Sequence, residues 1–396
     1  MIVFLKKDFG ATGNAVDDDT SSVHKFFNYL STHGGIGVIE AGTYNTSAYK
    51  FNHDTKPLSI LGEGPTQCLF KNLSHGTFLT FDRCSGVKIS GLTLDCQYTK
   101  TKVRMHGIAL NTCMDSTIDN CHVYDYLGTG IIAYGSNTAD GKKCSGIHVR
   151  DCLVQAEAAF KDWQNEPPES KKDKECNGVV LSDCENSKIS GCRAVDISLF
   201  GIELKGHSIW NFVVNCAAKN CRYGFGMGQQ TIDDTGCENN IVSDFLAQGC
   251  YMGGIVGKAK RNNMANFTVD FTGVPSNLAQ NAFRFQLKSV FNSLDNLVVS
   301  GAANGIGMIR YESGASNNTA KITNCQPLSD ELALVVAEYC DESQKTEGNY
   351  TVLLRSHVDS PHLTVVGDAA SMNKTWYAWD HTEICRLGLL NDTVAD

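Results

Sequence analysis

The chain has 396 residues, 42% of them hydrophobic and 19% charged, so it can bury a large core and does not have the composition of a disordered protein. It carries 34 basic and 43 acidic side chains, a formal net charge of -9 at pH 7, and this balance argues against nucleic acid as a partner. No apolar run approaches the ~20 residues that a membrane-spanning helix needs, so we expect no membrane insertion. At the amino terminus Lys6 and Lys7 follow a short apolar stretch instead of preceding it, so we also expect no secretory signal.

The first predicted element is one amphipathic helix near the amino terminus. Asp19 or Thr20 can cap its start, and Gly34 and Gly35 can end it. Between them the apolar residues recur at i, i+3, i+4 and i+7, namely Val23, Phe26, Phe27 and Leu30. Such a helix can cover the exposed end of a sheet. We therefore predict an amino-terminal cap over residues 1–65 that contains this helix and the first strands.

Beyond this segment a glycine followed by a short apolar strand recurs along the chain. The repeats are HGIALN, TGIIAY, NGVVLS, FGIELK and YGFGMG, with glycines at Gly107, Gly130, Gly178, Gly201 and Gly224. Three of the four intervals are equal, and the interval between Gly130 and Gly178 contains 25 extra residues. A fixed period of this kind is typical of a solenoid of strands.

A second ladder lies between these strands and places one cysteine in each repeat, at Cys121, Cys152, Cys192 and Cys216. The chain has 17 cysteines without a CxxC pair, which favours reduced, buried, small side chains over zinc ligands or a disulfide framework. Identical small residues in a column fill the core when neighbouring coils stack ~4.8 Å apart. The predicted fold is therefore all-β, a right-handed, single-stranded parallel β-helix of about 23 residues per coil over residues 66–330.

Three segments carry a resemblance to a known superfamily. KDFGATGNAVDDDT (Lys7–Thr20), GGIGVIEAGTY (Gly34–Tyr44) and LSILGEGP (Leu58–Pro65) resemble the opening of pectate-lyase-like parallel β-helix proteins, which include phage tailspike depolymerases, polygalacturonase-like hydrolases and some epimerases. A Cys-rich core without a secretory signal suits a protein made in the reducing cytoplasm of a host cell and released by lysis, so the chain is most similar to a bacteriophage tailspike.

This resemblance implies a homotrimer in the virion, attached to other phage tail proteins and acting at the host cell surface. Its substrate would be a bacterial surface polysaccharide, which is a capsule, an O-antigen or an exopolysaccharide. We expect no cofactor and no metal, because the acidic run Asp17–Asp19 lacks the spaced ligands of a calcium loop and is better suited to helix capping.

The extra residues between repeats indicate where a binding site would lie. The turn after the Gly130 strand carries 8 extra residues, the next turn 17, and the segment between Gly224 and Gly254 a further 7. Long loops beside two regular coils would form a trough, with Glu203 and Lys205 on its floor. Trp163 would line one wall as an aromatic platform for sugars, and Asp233 and Asp234 would line the other.

Glycoside hydrolysis needs one protonated acid and one ionised carboxylate, held about 5 to 10 Å apart. Glu203 is the only carboxylate in its column of outward positions, and its apolar surroundings would raise its pKa, which suits the acid. Asp233 or Asp234 would then act as base or nucleophile. The preferred prediction is an endo-acting glycoside hydrolase.

Two other functions stay open at this stage. A lyase acting by β-elimination on a uronic-acid polymer needs a base and cationic groups, which Lys205, His207, Tyr134, Tyr223 and Arg284 can supply. A non-catalytic glycan-binding appendage would use the same solenoid without chemistry, and a C5-epimerase is less favoured because calcium-binding nonapeptide repeats are absent. The segment 331–396 loses the register, so it contains either terminal coils or a carboxy-terminal trimerisation or capping region.

Overall fold

A computed structural model describes residues 1–135, 141–228, 236–275, 278, 281–302, 308–312, 314–327, 333–337, 349–354, 364–366 and 374–378. The chain divides into two units, Met1–Glu203 and Leu204–Asp396. The division falls inside one strand, Phe200–Lys205.

The first unit is built of short strands with few helices. Its strands are β1 (Ile2–Phe4), β2 (Asn14–Asp18), β3 (Gly35–Ile39), β4 (Gly42–Thr46), β5 (Tyr49–Phe51), β6 (Leu58–Gly62), β7 (Cys68–Asn72), β8 (Leu79–Asp82), β9 (Val87–Ser90), β10 (Thr93–Asp95), β11 (Ile108–Asn111), β12 (Thr117–Asp119), β13 (His122–Tyr124), β14 (Thr129–Tyr134), β15 (Cys144–Ser145), β16 (His148–Arg150), β17 (Leu153–Gln155), β18 (Asn177–Ser182), β19 (Cys184–Glu185), β20 (Lys188–Ser190), β21 (Arg193–Val195) and β22 (Phe200–Lys205). Its helices are α1 (Leu5–Phe9), α2 (Thr20–His33), α3 (Tyr98–Thr101), α4 (Glu157–Asn165) and a 3₁₀ helix (Lys171–Lys174).

Twenty of these strands form three parallel stacks, and β15 pairs with β19 in a separate two-stranded sheet. One stack is β5, β8, β11, β14, β18 and β22, the second is β1, β3, β6, β9, β12, β16 and β20, and the third is β2, β4, β7, β10, β13, β17 and β21. Consecutive strands of the chain enter different stacks, and each strand pairs with its equivalent one coil away. This arrangement is a parallel β-helix, so the predicted fold class is confirmed.

The predicted coil length holds for part of the first unit. Ile108 pairs with Ile131, 23 positions on, and Ile131 pairs with Val179, 48 positions on, which puts the 25 extra residues in one coil. The preceding coil is longer, because Leu79 pairs with Ile108, 29 positions away. The number of residues per coil varies since the turns, not the strands, take up the difference.

The cysteines are buried and reduced, as predicted. The fourteen cysteines from Cys68 to Cys250 are all free and buried. Cys152 donates a hydrogen bond to the Ile118 carbonyl of the preceding coil, and Cys192 does the same to Val149, so the predicted column runs through Cys121, Cys152 and Cys192. Hydrogen bonding with the two neighbouring thiols, together with burial, raises the pKa of the Cys152 thiol, which keeps it protonated and unreactive.

The predicted amino-terminal helix is α2, with Asp19 at its N-cap and Gly34 at its C-cap, but the Asp19 carboxylate makes no capping hydrogen bond and instead accepts from the Thr12 and Gly13 amides. Its buried side chains are Val23, Phe26, Phe27 and Leu30. The Phe27 ring lies 5.3 Å from that of Phe51 on β5, between ring centroids. Glycine is required at Gly37 on β3, because a methyl group there would lie 2.4 Å from Leu30 and Phe26. The helix thus packs on the first coils; its function as an end cap stays a prediction.

The second unit has longer strands in two parallel stacks. Its strands after β22 are β23 (Phe212–Lys219), β24 (Tyr223–Met227), β25 (Ile241–Gln248), β26 (Met252–Gly257), β27 (Asn263–Asp270), β28 (Phe283–Gln286), β29 (Ser293–Ala302), β30 (Ile309–Tyr311), β31 (Thr319–Pro327), β32 (Ala333–Ala337), β33 (Tyr350–Leu354), β34 (Thr364–Val366) and β35 (Lys374–Ala378). The odd-numbered strands form one stack and the even-numbered strands the other. Cys216 pairs with Phe245 and Phe245 with Phe267, so the column that Cys216 begins in this unit continues with aromatic rings.

A ladder of buried asparagines runs beneath the turn before each odd-numbered strand of the second unit up to β33. It comprises Asn211, Asn240, Asn262, Asn292, Asn318 and Asn349. Each side-chain amide donates to the side-chain oxygen of the next, at 2.9 to 3.0 Å. That oxygen also accepts a backbone N–H, so the ladder satisfies buried polar groups of the turn in every coil.

Strands β32 to β35 continue the parallel pairing beyond residue 330. The predicted division into a cap at 1–65, a β-helix at 66–330 and a separate region at 331–396 stays a prediction.

Candidate functional site

The outward surface of the first stack in the first unit carries two of the predicted site residues, Tyr134 and Glu203. Asp82 pairs with Asn111, Asn111 with Tyr134 and Tyr134 with Ser182, in one column of side chains. We call this surface the Glu203 face, and it comprises Thr80, Asp82, Ala109, Asn111, Ile132, Tyr134, Val180, Ser182 and Glu203.

The centre of the Glu203 face is apolar and closely packed. Ala109, Ile132 and Val180 occupy one column in consecutive coils and form a buried cluster, and Tyr134 packs against it. Their chain positions alternate with the inward core residues, so the cluster lies on the opposite side of the strands from the core. Because these outward-facing apolar side chains are buried, the centre of the Glu203 face is shielded from water.

Glu203 extends this apolar column by one coil. The Phe200 amide donates to the Asn177 side chain at 3.2 Å, and a methyl group on Gly178 would lie 2.2 Å from the Gly201 carbonyl, so β18 and β22 are in register with a 23-residue offset. Glu203 therefore takes the position equivalent to Val180. It is only 6% exposed, so its carboxyl group is buried instead of lying on the open floor that the sequence predicts.

The other end of the Glu203 face is ionic. Asp82 accepts from Asn111 at 2.9 Å and forms an ion pair with Lys50 at 3.1 Å. Burial opposes ionisation of Asp82, but the hydrogen bond and charge of Lys50 and the charge of Arg83 outweigh it and hold the pKa of the carboxyl below its usual value. Burial and then the charge of Asp82 raise the pKa of Tyr134, so this phenol stays protonated and can donate a hydrogen bond.

Distance decides whether Asp82 can act with Glu203. The two side chains are four coils apart, or about 19 Å at ~4.8 Å per coil. Paired carboxylates in glycoside hydrolysis lie about 5 to 10 Å apart, so Asp82 is too far away. The two coils that precede Glu203 carry Val180, Ser182, Ile132 and Tyr134 at the outward positions, and none of these is an acid. A partner carboxylate for Glu203 must come from elsewhere.

The 17-residue insertion forms helical structure beside this stack, where the sequence predicts a loop. The Asp162 carboxylate on α4 accepts from the Tyr98 hydroxyl at 2.7 Å and from Lys102 at 2.8 Å, which ties α4 to α3. Burial opposes the ionisation of Asp162, yet these two hydrogen bonds lower its pKa, so the link is ionic at neutral pH. The insertion is thus a fixed part of the first unit.

Trp163 does not present an open ring, which corrects the expectation of a sugar platform. It lies on the inner face of α4 with Ala159 and Phe160, at helical spacing, and is 5% exposed. The Phe160 ring stacks on it at 5.9 Å between centroids, and the Lys171 ammonium lies 4.6 Å from its ring centroid. The sequence analysis missed this packing because it assigned no helix to the segment.

The remaining predicted residues lie in the second unit or outside the described residues. Lys205 is half-buried at the end of β22, and His207 is exposed in the turn that follows Gly206. Tyr223 is buried on β24, with the Arg222 guanidinium 4.9 Å from its ring centroid. Asp233 and Asp234 lie outside the described residues, so their predicted roles stay predictions.

Arg284 belongs to an ionic cluster on the outward side of β28 and β30. Its guanidinium donates to Glu312 at 3.2 Å and to the Asn281 side chain at 3.2 Å. Arg310, which pairs with Arg284 one coil away, contacts the second oxygen of Glu312 at 2.7 Å. Two stacked guanidinium groups therefore share one carboxylate in this part of the second unit.

Sequence reasoning placed Asn111 among the outward positions but missed Asp82 as a member of the face. The signal was present, because TFLTFD at Thr77–Asp82 aligns with HGIALN and TGIIAY when the repeat is extended one coil towards the amino terminus. The 29-residue spacing of that coil, against 23 for the next, concealed the match.

Within the described ranges, no group of three or more His, Cys, Asp or Glu side chains is arranged to hold a metal ion. None of the helices in that same part of the chain combines the length and apolar character needed to cross a bilayer.

The fold and this face define a parallel β-helix protein with a shielded carboxyl group on the outer side of one stack. Residues 66–231 match the family model described as "Right handed beta helix region", which confirms the superfamily resemblance drawn from the sequence.

Individual proteins extend this similarity. The chain is 24% identical over 334 residues to the "Tail spike protein" of Escherichia virus K5, covering 81% of this chain and 48% of that protein. It thus spans about half the length of this curated relative. Among solved structures, the A-module of mannuronan C-5 epimerase AlgE4 from Azotobacter vinelandii superposes with a TM-score of 0.70 at 14% identity, covering 93% of this chain and 100% of that one. The Dettilon tailspike protein gives a TM-score of 0.58 at 12% identity, covering 84% and 70%.

Proposed function

We propose that this chain is the polysaccharide-binding and polysaccharide-cleaving part of a bacteriophage tailspike, and that it acts as an endo-glycosidase. The observation that carries the proposal is the shielded Glu203 carboxyl group in line with Ala109, Ile132 and Val180. An apolar environment disfavours the charged form of a carboxyl group, so it supports a protonated acid at neutral pH. The similarity to a tail spike protein supports the tail location and the glycan substrate.

In this proposal Glu203 donates its proton to the glycosidic oxygen of the leaving sugar. Tyr134, two coils away and protonated, would hydrogen-bond a neighbouring sugar hydroxyl, and Asn111 offers an amide further along the face. The second carboxylate is assigned to Asp233 or Asp234 on chemical grounds, because hydrolysis requires an ionised partner. The substrate would be a capsule, an O-antigen or an exopolysaccharide of the host.

The test uses purified polysaccharides of these three kinds, with reducing ends measured after incubation. Glu203→Gln keeps the shape but removes the proton donor, so we expect cleavage to fall at least about 100-fold, while glycan binding and the melting temperature stay at the wild-type values. Glu185→Gln is the matched control, since Glu185 is a carboxylate on β19, paired with Lys143 at 3.9 Å and away from the Glu203 face. Wild-type turnover in Glu203→Gln would remove Glu203 from the mechanism.

A lyase is the second candidate, and the Arg284, Arg310 and Glu312 cluster favours it. Guanidinium groups can neutralise the carboxylate of a uronic acid, which β-elimination requires. An unsaturated uronate absorbs in the ultraviolet and a hydrolysis product does not, so the products separate the two reactions. Binding without any product would leave the non-catalytic appendage.

The assembly belongs to the same proposal. We expect a homotrimer that attaches to other tail proteins in the virion, and the similarity to tailspike proteins supports the tail location. Light scattering of the purified chain should give three times the mass of 43.0 kDa, and a monomer at working concentration would contradict the trimer.

A further inference from the structure

One turn of the second unit repeats the same three-residue pattern in each coil. The first residue makes a parallel bridge to the next coil, in the series Ile209, Glu238, Lys260, Val290 and Ser316. The third residue is an asparagine of the buried ladder. The middle residue projects from the turn, in the series Trp210, Asn239, Arg261, Phe291 and Asn317, which we call the turn strip.

The turn strip has a backbone conformation that few side chains favour. Its five residues have φ angles of 57, 55, 54, 56 and 53°, all in the left-handed region. Glycine, asparagine and aspartate adopt this region most readily. The equivalent turn of the first unit follows the rule, with Gly86, Asp115, Gly146 and Asn186.

Three of the five residues, Trp210, Arg261 and Phe291, depart from this rule. The two aromatic residues among them, Trp210 and Phe291, gain little packing in return. Their side chains are 55% and 61% exposed, so burial does not offset the strain of the backbone. Backbone strain that is not compensated by local packing is characteristic of functional positions. The asparagine ladder beneath the strip is hydrogen-bonded from coil to coil, so the two rings project from a rigid support.

The arrangement of the strip suits an extended chain of sugars. Trp210 and Phe291 are three coils apart, or about 14 Å at ~4.8 Å per coil, a length of a few sugar units. Between them lie the Asn239 amide and the Arg261 guanidinium, which is paired with Glu238. Exposed rings can stack on the apolar faces of sugars, while amide and guanidinium groups hydrogen-bond hydroxyls.

We infer that the turn strip is a second glycan-binding site, distinct from the Glu203 face. The identity of the glycan rests on the proposed function, whereas the existence of a binding strip rests on the turn geometry. The core of a protein–protein interface is more continuously apolar than this line of rings and polar groups, so the strip suits a glycan better than a protein partner. Phe212 and Ile241 on the following strands are also exposed, so a second copy of the chain is the alternative that the test must separate.

The test replaces both rings with the residue that other coils use. Trp210→Asn and Phe291→Asn relieve the backbone strain, so the double variant should fold with an unchanged or higher melting temperature. Affinity electrophoresis in gels that contain a capsular or O-antigen polysaccharide measures binding. We expect the double variant to bind at least about tenfold more weakly, each single variant to lose less, and cleavage of short oligosaccharides to match the wild type. Leu246→Thr is the matched control, since Leu246 is exposed on β25 outside the strip and pairs with Thr268.

Each other outcome has a distinct meaning. If the double variant binds polysaccharide as tightly as the wild type, the inferred binding site on the turn strip is refuted, while the proposed enzymatic activity is unaffected. A change in the light-scattering mass of the double variant would assign the rings to a contact between copies, and this too overturns the inference. If the two rings are needed for polysaccharide binding but the wild-type protein cleaves no polysaccharide, the binding strip is supported and the proposed enzymatic activity is refuted.

Discussion

The two units stack coils by the same backbone pairing but differ in the side chains that fill some of their columns. The first unit uses small thiols, with Cys121, Cys152 and Cys192 in one column. The second unit uses the asparagine ladder and large rings, such as Phe245 over Phe267 at 5.0 Å between centroids. In both units, residues of the same type stack on one another. The repeat therefore requires the side chains of one column to be alike, but it does not fix which residue type fills that column.

The difference predicts where the stability of each unit resides. A thiol column contributes little apolar area per coil, whereas each ring contributes several times more. The second unit also depends on polar groups that must all be satisfied together. We therefore expect single substitutions in its columns to cost more than those in the first unit.

The largest effect should come from Phe267→Ala. Phe267 is fully buried and contacts the rings of Phe225, Phe245 and Phe283, with centroids 5.0 to 5.8 Å apart. Removal of such a ring costs about 3–5 kcal/mol in the free energy of unfolding. The counterpart Cys152→Ala in the first unit removes one buried sulfur and should cost only about 1 kcal/mol. Urea denaturation measures both, and equal losses would refute the contrast.

A smaller loss is expected when the asparagine ladder is interrupted. Asn240 donates to the Ser208 carbonyl at 2.9 Å and to Asn262, and its oxygen accepts from the amide and side chain of Asn211. Asn240→Ala leaves these buried groups without partners, at about 2–3 kcal/mol in the free energy of unfolding.

The matched control for the ladder is Asn263→Ala on the adjacent, exposed position. It should change the free energy of unfolding by less than about 0.5 kcal/mol. Thermal melts of both variants at one pH provide the measurement. A large effect at Asn263 or none at Asn240 would show that the ladder does not support the second unit.

The fold could be predicted because stacking leaves a periodic trace in the sequence. The Gly107 to Gly130 interval and the cysteine column record positions that must repeat if coils are to pack. The ladder was not recognised, although Asn240 and Asn262 are one coil apart, because one asparagine per repeat resembles ordinary turn composition. Longer coils in the second unit, such as the one between Asn262 and Asn292, also weakened the register.

The candidate site could be predicted only where it follows the repeat. Glu203 was found because strand alternation fixes its side relative to Ile202 and Leu204. Trp163 was misjudged because its burial depends on a helix inside an insertion, and an insertion has no repeat to align with. Asp82 was missed because its importance arises from Lys50 and Asn111, which the fold brings to it from other coils.

The smallest effects should come from two carboxylates of the first unit that respond to pH with opposite sign. The pKa of Asp82 is lowered in the folded state, so its ion pair adds stability above the unfolded carboxyl value of 3.8 and loses it as the pH falls through the folded value. Lys50 is 56% exposed, and solvent screening keeps such a pair below about 1 kcal/mol. Asp82→Asn should therefore lower the melting temperature slightly at about pH 7 and have little effect once both states are protonated.

Asp95 should behave in the reverse way. Burial raises its pKa, the charge of Asp125 adds to the rise, and the hydrogen bonds from Gln97 at 2.9 and 3.1 Å oppose it only in part. The folded state then binds the proton more tightly than the unfolded state, so stability falls as the pH rises from 3.8 through the folded value. Asp95→Asn keeps an oxygen for the Gln97 amide and removes the charge, so it should raise the melting temperature at about pH 7 and lose that advantage below about pH 4. Melts of both variants across this range would show curves that diverge in opposite directions from the wild type, and shifts of the same sign would mean that shape, not charge, controls these two positions.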